Sequence, residues 1–148
     1  MPSTSQEVAF VFSRPQTTLA VTRGAARFLV DLGWAPLLEV GLPNGRRADV
    51  LALGPKGELA IVEVKSSLED FRADLKWGEY LDWCDRFYFA VAPEFPREIL
   101  PEGPGLIVAD AFGGAILIES TPAPLAPARR KSLTLAFARL GALRATGV

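Results

Sequence analysis

Three ionisable residues, Asp49, Glu63 and Lys65, lie in a stretch of otherwise largely apolar sequence over residues 46–65. The stretch is typical of two strands joined by a tight turn, with Asp49 near the start of the first strand and the other two at the end of the second. Because alternate side chains of a strand point to opposite faces, Glu63 and Lys65 share a face with the apolar Ile61. Burying a carboxylate and an ammonium beside a core is costly unless they are paired or bind a metal. The pattern therefore favours a functional ionic site over a solvated edge strand.

The turns place a third carboxylate beside the first two. The segment 55–57, Pro-Lys-Gly, suits a three-residue hairpin loop, and counting back from it places Asp49 opposite Glu63. The segment 43–45, Pro-Asn-Gly, has the same form and places Glu39 opposite Asp49. The three acids then form a row with neighbours roughly 5 Å apart, whose mutual repulsion a bound cation relieves. A two-residue Asn-Gly turn in the first hairpin would instead shift the register by one residue and turn Glu39 to the other face.

The composition excludes several classes of catalytic site. The chain of 148 residues has no histidine, which excludes His-based triads and His-ligated zinc. Its single cysteine, Cys84, excludes an intramolecular disulfide and a thiolate cluster, and is typical of a small buried apolar residue. The net charge of −1 provides no overall basic field toward nucleic acid. The polar N-terminus predicts no signal peptide and no apolar run is long enough to span a membrane, so we expect a cytoplasmic protein.

The elements that must position the three ionisable residues follow from hydrophobic periodicity and from turn and capping residues. We expect a single α/β domain over residues 1–148, with an αβββαβ core, a mixed central sheet flanked by helices, and a C-terminal β-hairpin and helix. The predicted elements are a leader (1–15, apolar at 8–12), a helix (16–32), strands (35–42, 47–53 and 58–65), a helix from Ser66 or Ser67 to Cys84, strands (87–92, 105–109 and 115–119), a proline-rich spacer (120–128) and a basic helix (129–144).

The acids and the lysine stand as Asp-x13-Glu-x-Lys, which resembles the signature of the PD-(D/E)xK nuclease superfamily with its restriction-endonuclease-like core. Ala48 stands where that signature has proline. More narrowly, the run over residues 38–92 is similar to the MmcB-type DNA repair family of bacteria. The residues that carry this similarity are Glu39, Arg47-Ala48-Asp49, Glu63-Val64-Lys65-Ser66, Asp70-Phe71, Asp74-x-Lys76-Trp77, Tyr80, Cys84-Asp85 and the strand from Phe87 to Val91.

The resemblance implies metal-dependent hydrolysis of DNA phosphodiester bonds in a repair setting. Asp49 and Glu63 are then metal ligands together with the main-chain carbonyl of Val64, and oxygen ligands favour Mg²⁺ or Mn²⁺. Lys65 orients the attacking water or stabilises the charge that develops on the phosphate. Glu39 completes the metal shell, although its place on the first strand departs from relatives that take an extra acid from the first helix.

Several residues near the signature are candidates for contact with DNA, and other repair proteins or a second copy of the chain are candidate partners. An apolar stripe on the last helix fits either a homodimer or packing on the sheet, and the basic side of that helix is a solvated face, an interaction surface or a phosphate contact. Lys76 either reaches a phosphate or lies along Trp77, and the aromatic rings either stack on a base or pack in the core. The candidate contacts are Arg46, Arg47, Ser66, Lys76, Trp77 and Tyr80.

Simpler interpretations stand beside the catalytic one. Glu63 and Lys65 form a plain ion pair at the rim of the sheet, or Asp49 forms a structural salt bridge with a neighbouring arginine. Asp70 and Asp74 are predicted to be surface charges of the second helix, or Asp70 serves the N-terminus of that helix. The alternative functions are a catalytically inactive DNA-binding or scaffold protein that retains the nuclease fold, and an α/β protein with no role on nucleic acid.

Overall fold

The chain is described by a computed structural model over residues 14–147, so the predicted leader lies almost wholly outside the described residues. None of the described helices is long and apolar enough to cross a membrane. The elements are helix α1 (Arg14–Asp31), strands β1 (Ala35–Gly41), β2 (Arg47–Leu53) and β3 (Leu59–Lys65), helix α2 (Leu68–Ala73), a 3-10 helix (Trp77–Trp83), strand β4 (Arg86–Val91), a second 3-10 helix (Arg97–Ile99), strands β5 (Gly105–Ala109) and β6 (Gly114–Ile118), and helix α3 (Pro127–Thr146).

The strands form one mixed sheet in which spatial order follows chain order, β1-β2-β3-β4-β5-β6. The first three strands are an antiparallel meander, β4 lies parallel to both β3 and β5, and β6 returns antiparallel to β5. The chain crosses over between β3 and β4 through α2 and the first 3-10 helix. This arrangement confirms the predicted α/β class and is consistent with a restriction-endonuclease-like fold.

Both hairpins of the meander close as their Pro-x-Gly sequences predict. Gly45 donates to the carbonyl of Leu42 and Gly57 to that of Gly54, each at 3.0 Å. Both closing glycines have positive φ, 86° for Gly45 and 91° for Gly57, which costs glycine little because it lacks a Cβ atom. A one-residue register shift is therefore ruled out for the β1–β2 hairpin.

Helix α1 covers one face of the sheet, where Val21 and Leu29 pack on Val50 and Val62 in an apolar layer. Gly24 lets the helix approach the β5–β6 turn closely, since a Cβ atom at this position would lie 1.7 Å from the carbonyl oxygen of Asp110. This contact fixes the helix whose N-terminal half later forms one wall of the candidate site.

The other face is covered by α2, the first 3-10 helix and α3. Trp77 and Tyr80 of the 3-10 helix each stack on Phe87 of β4, with ring centroids 5.9 Å apart. Cys84 is buried among them, and burial raises the pKa of its thiol to about 12. It is the small apolar residue predicted from the sequence.

The prediction of one continuous helix up to Cys84 is wrong. Helix α2 ends at Ala73, where the amide of Asp74 still donates to the carbonyl of Phe71 at 3.2 Å. The carboxylate of Asp74 accepts the amide of Lys76 at 3.0 Å, which turns the chain before the 3-10 helix begins. Asp side chains compete in this way with helical hydrogen bonds, and the turn brings the following aromatic rings onto the sheet.

Helix α3 begins at Pro127 and ends at Thr146, slightly longer at each end than predicted. Leu133 and Phe137 pack against the sheet on the side of the aromatic rings, so the apolar stripe is used within the chain. Arg130 forms an ion pair with the buried Asp85, with 2.7 Å between Nη1 and Oδ2. Asp85 also accepts the amides of Leu59 and Leu125, at 2.7 and 2.8 Å, and thereby ties the helix and the spacer to the sheet.

Candidate functional site

The antiparallel ladder between β2 and β3 opens at its end, beyond the pair Val50–Val62. At the next position the amide of Asp49 donates to Oε1 of Glu63 at 2.9 Å. One residue further the amide of Val64 donates to Oδ2 of Asp49 at 2.8 Å. Each carboxylate therefore takes a hydrogen bond from the backbone of the opposite strand, and the two acids lie side by side as the hairpin geometry predicts.

Burial raises the pKa of both acids, and for Glu63 the charge of Asp49 adds to the rise. Burial, followed by the charge of Asp49, raises the pKa of Glu63 to about 8. Burial also raises the pKa of Asp49 above its ordinary value, although the amide of Val64 and the charge of Lys65 oppose the rise. At neutral pH Glu63 thus retains a proton for much of the time, which a bound cation would displace.

Lys65 extends from the end of β3 and is buried, with a side chain that is 6% exposed. Its Nζ donates to Oδ2 of Asp74 at 2.7 Å. Burial raises the pKa of Asp74, but the hydrogen bonds from Lys65 and from the amide of Lys76 outweigh it, so the pKa lies below its usual value. The plain Glu63–Lys65 ion pair does not form, because the ammonium of Lys65 is turned to Asp74. Among residues 14–147 no salt bridge joins Asp49 to an arginine either.

Asp70, in the first turn of α2, and Asp74, directly after the helix, are both partly buried and not free surface charges. Asp70 accepts both the amide of Ser66, at 2.9 Å, and its hydroxyl, at 3.2 Å. The amide of Asp70 donates to Oγ of Ser67 at 3.1 Å, so Ser67, one of the two helix starts that the sequence predicts, caps the helix. Ser66, a predicted DNA contact, thus has its hydroxyl bound to Asp70. Sequence reasoning gave Asp74 no role in the site. The available signal was its place among the residues that carry the resemblance to the MmcB-type family.

Glu39 lies opposite Asp49, because the pairs Leu38–Val50 and Val40–Ala48 flank it. Its side chain is exposed and its backbone adopts φ 51°, a left-handed conformation that a residue with a Cβ atom rarely takes. Within the part of the chain that the structure describes, no group of three or more His, Cys, Asp and Glu side chains is arranged to hold a metal ion. Glu39 thus lies at the rim of the cleft that the other two acids line, and its role as a ligand stays a prediction.

Arg144 of α3 supports the unusual backbone at Glu39. Its guanidinium donates to the carbonyl of Glu39 at 2.9 Å and to the carbonyl of Leu38. Arg129 is likewise used within the chain, with its guanidinium 4.1 Å from the centre of the Trp83 ring. Arg129, Arg130 and Arg144 thus make contacts within the chain that hold α3 in place. Much of the predicted basic face of the helix is used in this way.

A cleft of about 680 Å³ opens over the acid pair, between the N-terminal half of α1 and the start of α2. Val64, whose carbonyl is the third predicted ligand, lies in its floor together with the acids and Lys65. The cavity is several times larger than the others described in residues 14–147. Its lining residues are Pro15, Thr18, Leu19, Thr22, Leu38, Glu39, Asp49, Glu63, Val64, Lys65, Ser66 and Asp70.

The predicted DNA contacts separate into exposed and buried residues. Arg47 and Lys76 are exposed near the opened end of β2 and the turn after α2. Arg46 is partly exposed and lies over the ring of Tyr80, with 5.2 Å between guanidinium carbon and ring centroid. Tyr80 is 3% exposed and donates its hydroxyl to the carbonyl of Arg47 at 3.0 Å. Tyr80 and the half-buried Trp77 are thus parts of the core that support the site, not free platforms for a base.

Comparison with known proteins adds an independent line of evidence. A family model described as DNA repair protein MmcB-like matches residues 6–148. A solved structure, the SPO1766 protein of unknown function from Silicibacter pomeroyi, is 46% identical, with a TM-score of 0.84 over 87% of this chain and 88% of that one. No curated protein matches the sequence.

Proposed function

The chain belongs to the MmcB-like family of DNA repair proteins, and from that premise we propose that it hydrolyses phosphodiester bonds of DNA with the help of a divalent cation. The observation that carries the proposal is the pair of carboxylates at the opened end of β2 and β3, the half-buried Asp49 and the buried Glu63, each of which accepts a backbone amide of the opposite strand. A purely structural role would not favour two neighbouring acids whose pKa values are both raised by burial. In a metal site, by contrast, the bound cation would stabilise the ionised form of both carboxylates.

The residues present fit Mg²⁺ or Mn²⁺. These ions prefer oxygen ligands, and Mg²⁺ is commonly held by one or two carboxylates while waters and substrate phosphates fill the other positions. Asp49 and Glu63 each use one oxygen for a backbone amide, and we assign the ligand role to their other oxygens together with the carbonyl of Val64. Glu39 is left out of this set because it lies at the rim. When bound, such an ion neutralises phosphate charge and lowers the pKa of a coordinated water.

Lys65 supplies the positive charge of the protein itself at the cleft floor. Its ammonium is held in one place by Asp74, and a fixed cation in a partly buried site stabilises charge that develops on the phosphate without reorganising. Asp74 is accordingly a positioning residue for Lys65. The exposed Arg47 and Lys76, which do not line the cleft, are assigned to phosphates outside it.

Calorimetric titration of Mg²⁺ and Mn²⁺, run beside cleavage assays on a panel of DNA structures, tests the proposal. We expect the wild-type protein to bind the ion and to cut DNA only in its presence. Asp49→Asn should lose both properties, Lys65→Ala should lose cleavage but bind the ion, and Glu98→Gln, at an exposed acid far from the cleft in sequence, should keep both. Undiminished cleavage by Asp49→Asn or Lys65→Ala would refute the assignment.

The second candidate function is a catalytically inactive DNA-binding or scaffold protein. The net charge of −1 and the internal use of the α3 arginines favour it, or favour a partner protein that supplies the affinity for DNA, since neither feature provides a clamp for DNA. DNA binding that needs no divalent cation, without cleavage of any substrate in the panel, would support this candidate. Partner repair proteins and a homodimer stay predictions, and sedimentation of the protein alone tests the latter.

A further inference from the structure

We propose that the cleft accepts an unpaired DNA nucleotide, so that the substrate is single-stranded DNA, a flap or an extruded base rather than an intact duplex. The inference rests on the proposed function for the position of the phosphate at the cleft floor. It goes further by naming the class of DNA that can reach that floor. Three features of the cleft carry it: its depth, its apolar wall and its shortage of cations.

The groups that must reach the phosphate are recessed. Glu63 and Lys65 are each only 5% exposed, although both line the cleft. The cleft is open to solvent, and its volume of about 680 Å³ lies within the roughly 300–1,000 Å³ range of sites that bind a small ligand. A duplex carries its phosphates on the outside of a stiff cylinder and would meet the rim first, whereas an unpaired strand can bend a single nucleotide inward.

The wall opposite the charged floor is apolar. Leu19 of α1 is 51% exposed and Leu38 of β1 is 39% exposed, and both line the cleft beside Pro15. The hydroxyl of Thr22 is turned to its own helix, where it donates to the carbonyl of Thr18 at 2.7 Å. The apolar part of this wall suits the flat face of a base, which every nucleotide presents once it is unstacked.

The cleft also lacks the charge that binding along a duplex requires. Lys65 is the one basic residue among the described residues that line it, against four acids, Glu39, Asp49, Glu63 and Asp70. Proteins that bind along a duplex neutralise several phosphates with lysine and arginine. This lining has room for one phosphate with a cation, which matches a single nucleotide entering the cavity.

The test measures binding separately from cleavage. Fluorescence anisotropy would compare labelled DNA of one sequence as a single strand and as a blunt duplex, with Ca²⁺ in place of Mg²⁺ as an oxygen-ligated cation. We expect the single strand to bind at least about tenfold more tightly. The double variant Leu19→Ala/Leu38→Ala should weaken single-strand binding by about tenfold, because it removes apolar contact area. Leu135→Ala, at a leucine of α3 that is 55% exposed, should change nothing.

The outcomes separate this inference from the proposed function. Equal or tighter binding of the duplex, an unchanged affinity of the double variant, tighter binding of RNA of the same sequence, or binding of neither DNA form would each overturn it. Circular dichroism checks that the double variant is folded, which its exposed positions favour. If single-strand preference and its loss in the double variant are found but Mg²⁺ supports no cleavage, the inference stands and the nuclease proposal fails.

Discussion

Asp49 and Glu63 are joined through the backbone as well as by proximity, since the amide of Asp49 donates to the carboxylate of Glu63 at 2.9 Å. The carboxylate of Asp49 reaches the amide of the residue after Glu63 in the same way, at 2.8 Å. The acids thus replace the last rungs of the β2–β3 ladder and are oriented by the sheet itself. Changes at either acid are therefore expected to act on stability as well as on cation binding.

Cation binding should depend on pH through Glu63, whose pKa is raised to about 8. Below that pH a bound ion must displace the proton, so we expect the affinity for Mg²⁺ to fall by up to about tenfold per pH unit as the pH drops from 8 to 6. Calorimetry in buffers of different ionisation enthalpy should show close to one proton released per bound ion at pH 6 and almost none at pH 9. An affinity that is constant over this range would contradict the prediction.

The same group should control stability in the absence of metal. Because the pKa of Glu63 is raised from 4.5 to about 8, its contribution to stability is fully present below pH 4.5 and is lost as the pH rises through about 8. We therefore expect the Tm measured with EDTA to fall between pH 6 and pH 9 and Mg²⁺ to restore it. Glu63→Gln, which mimics the protonated acid, should have a higher Tm than the wild type at pH 9 and a flatter dependence on pH.

Removal of the partner of Lys65 should destabilise the fold. In Asp74→Asn the buried ammonium loses the carboxylate that binds it directly, which costs up to about 3 kcal/mol because only the charges of the nearby Asp49 and Glu63 still attract it. Urea unfolding measures the loss. The double variant Lys65→Met/Asp74→Asn should recover part of it, since the ammonium is removed together with its direct partner.

The ion pair between Arg130 and Asp85 should be needed to dock α3. Asp85 is 7% exposed, so Arg130→Met leaves its carboxylate buried with only the two amide donors, and we expect a loss of about 2 kcal/mol in the free energy of unfolding. Arg139→Met, on an exposed part of the same helix, is the matched control and should change stability by less than about 0.5 kcal/mol. Equal losses in the two variants would show that the helix is held by its apolar side alone.

Glu39→Gly should separate the backbone role of this position from a ligand role. Glycine adopts the observed φ of 51° without strain, so we expect the variant to be more stable by about 1 kcal/mol in urea unfolding. Its affinity for Mg²⁺ should stay within about twofold of the wild type. A large loss of affinity would return Glu39 to the metal shell.

Much of the site followed from short-range rules. The two Pro-x-Gly turns set the register of the first three strands, and side chains alternate along a strand, so the position of Asp49 opposite Glu63 could be counted from the sequence. The helix cap at Ser67 followed from an equally local signal. Each of these features depends on residues that are close along the chain.

Other features were decided by the tertiary structure alone. They depend on interaction partners that are distant in sequence, or on side-chain hydrogen bonds that compete with a local pattern. The apolar periodicity continues through Asp74, yet the helix stops there because Lys65 and the amide of Lys76 bind its carboxylate. Glu39 leaves the regular strand conformation where Arg144, 105 residues away, holds its carbonyl. Hydrophobic periodicity shows which residues are apolar, but it does not show which buried charged side chains pair with each other. That pairing determines the environment of the acids and the lysine.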